Sequence, residues 1–338
     1  MATPSDEMNT KLTWRRFEDG ENKWDSFTDK IFVEDSSHKC PTYVHKTPPC
    51  QGSCPSGEDI RGWLAIVRGQ EKPAGDMSWQ EYAFHRSTDA NPFPSMMGRV
   101  CPAPCQDGCN RNEVEDFVGI NSVEQFIGDT ALANGYKFEA GPDTGKKVAI
   151  IGGGPAGMAG AYQLRRKGHG VTIFESQPEL GGMMRYGIPN YRIPRDKLAG
   201  EIQRIVDMGG VEVRTGVRVG QEITIEQLEK DFDAILWAVG CWSGRGLFLD
   251  EWEGTPNCVS GVAFLKAFNE GRMKVTAKKV VCVGGGDTSI DVVSVARRLG
   301  HIEQSNPTDR PELVVNDGFV AHDAAVTAAS QGSEVTLS

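Results

Sequence analysis

The chain has 338 residues, 39% of them hydrophobic and 24% charged, with a formal net charge of −10. Those proportions fit a globular protein of two or three domains, and the acidic balance argues against nucleic acid, whose phosphates need a basic surface. Apolar runs such as "VVCVGGG" at Val280–Gly286 are strand-sized and the first twenty residues hold no hydrophobic leader, so the expectation is a cytoplasmic protein with no membrane span.

Residues 1–140 read as a small helical domain rich in Pro, Gly and polar residues. Ile60, Leu64 and Val67 fall on one face of a predicted helix, and Val123, Phe126, Ile127 and Leu132 on one face of another. Six of the nine cysteines, Cys40, Cys50, Cys54, Cys101, Cys105 and Cys109, crowd this third of the chain. In a reducing compartment such clustering points to metal or redox chemistry rather than disulfides. A core this thin is expected to need the staples that metal clusters supply. Cys241, Cys258 and Cys282 are solitary in apolar or strand-like surroundings and read as small buried hydrophobes.

"GPDTG" at Gly141–Gly145 is a turn-rich linker. The pattern then becomes strand, glycine turn, helix, strand: a strand to Ile151, a turn through Gly152–Gly154, a helix to about Lys167 and the strand "VTIFE". It recurs at "AKKVVCVGGGDTSIDVVSVARRLGH". The fold class expected is α/β, a helical domain at 1–140 followed by two doubly wound dinucleotide folds, at 146–255 and 256–338. A doubly wound unit has about five or six parallel strands. The second here has two, which reads as a fragment of a longer protein.

The first motif, Gly152-x-Gly154-x-x-Gly157, sits in its full context. Gly152 permits the tight turn, Gly154 lets backbone approach a pyrophosphate at the helix start, where Pro155 and Ala156 follow, and Gly157 allows close helix–strand packing. Glu175, eighteen residues beyond Gly157 at the end of the next strand, can accept hydrogen bonds from a ribose. The second turn, Gly284-Gly285-Gly286-Asp287-Thr288-Ser289, has Ser289 in the third glycine position. Two such sites suggest FAD in the first and a nicotinamide in the second. The alternative for the second is a packing turn.

The order of cysteine domain, "GGGPAGMAGA", "GGMMRYGIPNYRIP", "ILWAVG" and "GGGDTSIDV" resembles the glutamate synthase small subunit-like family of iron–sulfur flavoproteins, which includes the N-terminal half of dihydropyrimidine dehydrogenase. The resemblance implies an NAD(P)H-dependent oxidoreductase with two [4Fe–4S] clusters in the cysteine domain, FAD on the first glycine motif and NAD(P)H on the second. Carried over by motif, one cluster takes Cys54, Cys101, Cys105 and Glu124, although the Cys101–Cys105 interval is shorter than the family's. The other takes Cys50 and Cys109 with two upstream ligands. There the pattern breaks: His45 stands where the family has a cysteine, and Cys40 lies farther back. Imidazole can replace thiolate on cluster iron, but a lone histidine is also an ordinary loop residue. Structural zinc, which favours cysteine pairs two to four residues apart, is the alternative for the thiolates.

The resemblance also places Gly182, Met183, Arg192, Val219 and Gly240 near FAD, while Met183 and Val219 could equally be core. The stretch "PELVVNDGFVAHDAAVTAASQGSEVTL" resembles the DsrL branch of the family, so the electron-accepting partner expected is the dissimilatory sulfite reductase complex. A homodimer is left open. A rival of another class is a redox sensor or scaffold that binds clusters and flavin and reduces no partner.

Overall fold

The computed structural model describes residues 47–114, 117–244, 258–275, 279–299, 313–315 and 334–337. Cys40 and His45 lie outside the described residues. No helix among those described is long and apolar enough to cross a membrane.

The N-terminal part is a set of short helices, α1 (Pro49–Ser53), α2 (Ile60–Val67), α3 (Trp79–Thr88), α4 (Pro94–Val100) and α5 (Pro104–Asp107), and a longer one, α6 (Ile120–Asn134). Proline opens α1, α4 and α5, where its missing N–H costs nothing and its fixed φ suits the first turn. The buried face of α2 is Ile60, Trp63 and Ile66, so the stripe lies one position round from the one expected through Leu64. On α6 the buried residues include Ile120, Glu124, Ile127 and Ala131, whereas Phe126 is 49% exposed and stacks on Trp79 instead.

The helices α4 and α6 cross in close contact. A Cβ on Gly128 would strike the Ser95 amide nitrogen, and one on Gly98 would come 2.7 Å from Gln125 Cα. The same crossing is held by Arg99, which donates to both oxygens of Asp129, with Ser95 Oγ donating to Asp129 Oδ1 at 2.6 Å.

From Lys147 the chain forms β1 (Lys147–Ile151), α7 (Pro155–Arg166), β2 (Gly170–Glu175), α8 (Met183–Tyr186), α9 (Arg195–Val206), β3 (Val211–Thr215), α10 (Ile225–Asp231) and β4 (Ala234–Trp237). The four strands make a parallel sheet in the order β3-β2-β1-β4. The continuous apolar runs "VAII" and "TIF" belong to its buried central pair, as strands covered on both faces require.

The second unit contains α11 (Gly261–Asn269), β5 (Met273–Val275), β6 (Lys279–Cys282), α12 (Asp287–Arg298), β7 (Leu313–Val315) and β8 (Glu334–Leu337). β6 pairs with β8 and β5 with β7, both in parallel. The β6–α12–β8 passage is the strand–helix–strand unit expected there, while β5 and β7 have no counterpart in the sequence reading.

The helical part does not keep a thin core of its own. Its buried residues, from Ile60 and Trp63 through Phe84, Met96, Ile127 and Phe138, run without a break into Tyr162, Leu198, Ile202 and Ile205 of the first nucleotide fold. Helix α9 makes the join: Glu201 accepts from the Ser95 and Met96 amides at 2.8 and 3.1 Å, capping α4 across the boundary. One turn on, the Arg204 guanidinium lies 4.8 Å from the Phe84 ring and 5.6 Å from Phe138.

Candidate functional site

Every described N-terminal cysteine sits in or at the end of a short helix. Cys50 is in α1 and Cys54 ends it, Cys101 ends α4, Cys105 is in α5, and Cys109 opens the 3-10 turn Asn110–Glu113. The segment turns sharply at Ala103, the one non-glycine residue with positive φ (56°) among those described, and its amide donates to Cys101 Sγ at 3.4 Å. Asn121 of α6 ties the loop down twice: its Nδ2 donates to the Cys101 carbonyl at 2.9 Å and its backbone N–H donates to Gln106 Oε1, also at 2.9 Å.

The thiols fall into two groups. Burial and then the neighbouring Cys101 push the Cys105 thiol up to about 11, with Cys54 and Glu124 adding to the effect. Burial raises Cys101 too, with Glu124, Cys54 and Glu58 close enough to contribute. Cys50 is raised by burial and by Cys109. So Cys54, Cys101, Cys105 and Glu124 share one neighbourhood, and Cys50 and Cys109 share another. All are free of disulfides. The Cys50, Cys101 and Cys105 thiols, raised by burial and each with a second cysteine near it, need a cation to hold them as thiolates, so the donor set suits a metal cluster. Among the described residues no three Cys, His, Asp or Glu close on a single-ion site.

Glu124 is 5% exposed and accepts from Asn91 Nδ2 at 2.6 Å; burial and the nearby Glu58 raise its pKa. Asn91 is itself fixed by the Phe93 amide, which donates to its Oδ1 at 3.0 Å. Glu58 and Asn91 escaped the sequence reading, and no local spacing pointed to either.

The second site is a cleft of about 600 Å³ at the carboxyl ends of the sheet strands. Gly152, Gly154, Pro155, Ala156, Glu175, Gly182, Met183, Val219 and Gly240 all line it. Gly152 turns at φ +111°, where a Cβ would strike the Ala238 carbonyl oxygen, and a Cβ on Gly157 would strike the Gly152 carbonyl oxygen. Gly182 has φ +50° and approaches so near that a Cβ there would come 2.6 Å from Gly154 Cα. At Gly154 itself an added Cβ meets only Gly182 Cα, at 3.6 Å, so what that glycine leaves free is the cleft. Glu175 is buried and accepts from the Gly153 amide (Oε2, 2.7 Å) and the Gln177 amide (Oε1, 2.7 Å). These bonds fix a carboxylate in the cleft wall with acceptor capacity left over for hydroxyl groups. A strand-end carboxylate, a backbone cradle and the start of α7 together fit an adenine dinucleotide.

Val219 lines the cleft and also packs against the cluster of Ala149, Ile151, Phe174 and Leu228. Trp237, Val239, Cys241 and Trp242 line the cleft as well; "ILWAVG" carried the signal for this wall, although Gly240 alone was drawn from it. Cys241 is exposed at that wall rather than buried, and Cys258 and Cys282 are partly buried. Arg192 does not line the cleft. Its guanidinium pairs with Asp291 of α12.

The second glycine turn repeats the first in backbone angles. Gly284 has φ +116° beside +111° for Gly152, and Gly286 has φ −79°, ψ 174° beside −78°, −175° for Gly154. Each turn opens a twelve-residue helix. A Cβ would find nothing within 4 Å at Gly285 or Gly286, and Asp287 and Thr288 are exposed. Ser289 has its Oγ 3.0 Å from the place of a Cβ on Gly284. This repetition favours a phosphate-binding turn over simple packing.

The sequence profile of the pyridine nucleotide-disulphide oxidoreductase family matches residues 146–337, and that of dihydropyrimidine dehydrogenase domain II, with its 4Fe-4S cluster, matches residues 21–136. The subunit beta of an NADP(+)-dependent formate dehydrogenase from Moorella thermoacetica is 37% identical over 75% of this chain and 38% of its own length. The subunit beta of an NADPH-Fe(3+) oxidoreductase from Geobacter sulfurreducens is 37% identical over 78% of this chain and 40% of its own length. The glutamate synthase [NADPH] small chain of Mycobacterium tuberculosis is 36% identical over 75% of this chain and 53% of its own length. The chain thus spans roughly half or less of each of these relatives.

Proposed function

This chain belongs to the pyridine nucleotide-disulphide oxidoreductase family, in its glutamate synthase small subunit-like branch with an N-terminal 4Fe-4S domain, and on that premise we propose that it carries electrons between NAD(P)H and a protein partner. The observation that supports this best is the union in one chain of two matching glycine turns and two groups of neighbouring, disulfide-free cysteines.

FAD would occupy the cleft, where Gly152, Gly154 and the start of α7 would hold its pyrophosphate and Glu175 would accept from a ribose. NAD(P)H belongs on the Gly284–Ser289 turn. Cys54, Cys101, Cys105 and Glu124 would hold one [4Fe–4S] cluster, and Cys50 and Cys109 would hold part of the other, for which Cys40 and His45, outside the described residues, are the upstream candidates. Bound there, a flavin exchanges electron pairs for single electrons, and the clusters supply single-electron storage. The residues' own work is positional. Gly154 and Gly182 keep the cleft open, Glu175 is oriented by two amides, and the Ala103 amide and Asn121 fix the Cys101 loop. No acid–base pair is needed for this transfer.

The relatives serve different acceptors according to their names, so the acceptor is the least transferable part of the reading. The resemblance of the stretch beginning at Pro311 supports the dissimilatory sulfite reductase complex as the partner, in sulfur metabolism in the cytoplasm; most of that stretch lies outside the described residues. Anaerobically purified full-length protein is expected to hold flavin and two four-iron clusters in the N-terminal domain, about eight irons. Cys54→Ser should remove about four of those irons and leave the flavin. Stoichiometric zinc without acid-labile sulfide would sink the reading.

A further inference from the structure

The segment between β2 and α9 has two ends with different neighbours. Gly182 and Met183 at its start line the cleft. At its end, Arg192 Nη1 donates to both carboxylate oxygens of Asp291, at 2.7 Å each. Asp291 is 5% exposed and lies early in α12, the helix that the second glycine turn opens. Three residues beyond Arg192, Arg195 donates to Asn269 Oδ1 at 2.8 Å, and Asn269 donates back to the Tyr186 and Gly187 carbonyls at 3.1 Å. The Arg298 guanidinium lies 4.2 Å from the Tyr191 ring centre. Helices α11 and α12 therefore both rest on one short stretch that also builds the cleft.

We infer that Arg192 is a positioning residue: its ion pair with Asp291 sets where the second glycine turn stands relative to the first cleft. This rests on the two-site reading above. Removing Arg192 strands a buried carboxylate, and neutralising Asp291 takes away the charge that holds Arg192, so either change loosens α12 on its seat. Transfer between two bound groups is steep in geometry, and a misplacement of about 1 Å can cost on the order of 100-fold in rate.

The test uses the full-length protein with its cofactors and the variants Arg192→Gln, Asp291→Asn, their double, and Arg192→Lys. Both single variants should keep their flavin and bind NAD(P)H within about threefold of the parent. At saturating NAD(P)H, flavin reduction should slow by roughly 10- to 100-fold. The double variant should be no slower than the slower single one, as for residues acting as a unit, and Arg192→Lys should recover part of the rate. Amide hydrogen exchange across α12 and residues 183–195 should quicken in both single variants. Loss of flavin from Arg192→Gln but not from Asp291→Asn would overturn the inference, making Arg192 a flavin ligand. So would exchange and reduction rates unchanged from the parent. If the parent itself is not reduced by NAD(P)H, the two-site reading fails, and hydrogen exchange still decides whether the pair seats α12.

Discussion

Gly154 and Gly157 lie three residues apart and are glycines for different reasons. At Gly157 a side chain would strike the backbone of Gly152, whereas at Gly154 it would project toward the cleft with the protein 3.6 Å away. Gly154→Val should therefore fold, with a thermal midpoint within a few degrees of the parent, and carry less than about a tenth of the parent's flavin, since the side chain fills space a pyrophosphate needs. Gly286→Val, with open space around it, should keep its flavin and lose reduction by NAD(P)H. Flavin content and absorbance after NAD(P)H addition check both; the order of sites is wrong if the Gly286 variant is the one that loses flavin. These glycines and Glu175 were legible in the sequence because the motif is local, with every part within one strand–turn–helix–strand passage. Arg192 was not. Its partner lies 99 residues away, and a motif that fixes a residue's type says nothing of a contact made across a domain boundary.

Helix α4 shows how an element can depend on a residue far outside it. It runs from Pro94 to Val100, ends at Cys101 and is capped by Glu201 of α9. Burial pushes the Glu201 pKa up to about 8, against the pull of the Ser95 amide, Arg204 and the Met96 amide, with Asp129 adding to the rise. An unfolded chain releases that proton near the ordinary carboxyl range, so between there and about pH 8 the folded state binds the more protons. This group's contribution to stability is accordingly greatest below that range and declines as pH rises to about 8. Thermal unfolding across pH 5–8 should show a shallower decline in Glu201→Gln than in the parent; a parallel decline in both would remove Glu201 as its source. Glu201→Ala, which strands two backbone donors, should cost on the order of 2–4 kcal/mol. The helices themselves were legible from periodicity, but their buried faces were only partly so. On α2 Trp63 and Ile66 are buried with Ile60 while Leu64 and Val67 pack only partly buried against the same core, and Phe126 turned outward on α6, because the neighbours that select a face come from distant sequence.

At the scale of the molecule, chain order gave the architecture: cysteine-rich helices, then a strand–turn–helix unit, then its repeat. What order could not convey was that the helical part shares its core with the first nucleotide fold through Phe138, Tyr162 and α9. That continuity seats the helix ending at Cys101 directly on the fold that forms the cleft. The central claim is that electrons pass from NAD(P)H through the cleft to the thiol-held clusters. The most direct test is anaerobic rapid mixing of the full-length protein with NADH or NADPH, freezing samples in time for absorbance and EPR. Flavin absorbance should bleach first and a reduced-cluster signal should then grow, absent from protein with Gly154→Val. Flavin that stays oxidised with both nucleotides, or bleaches while no N-terminal cluster ever takes an electron, would contradict it.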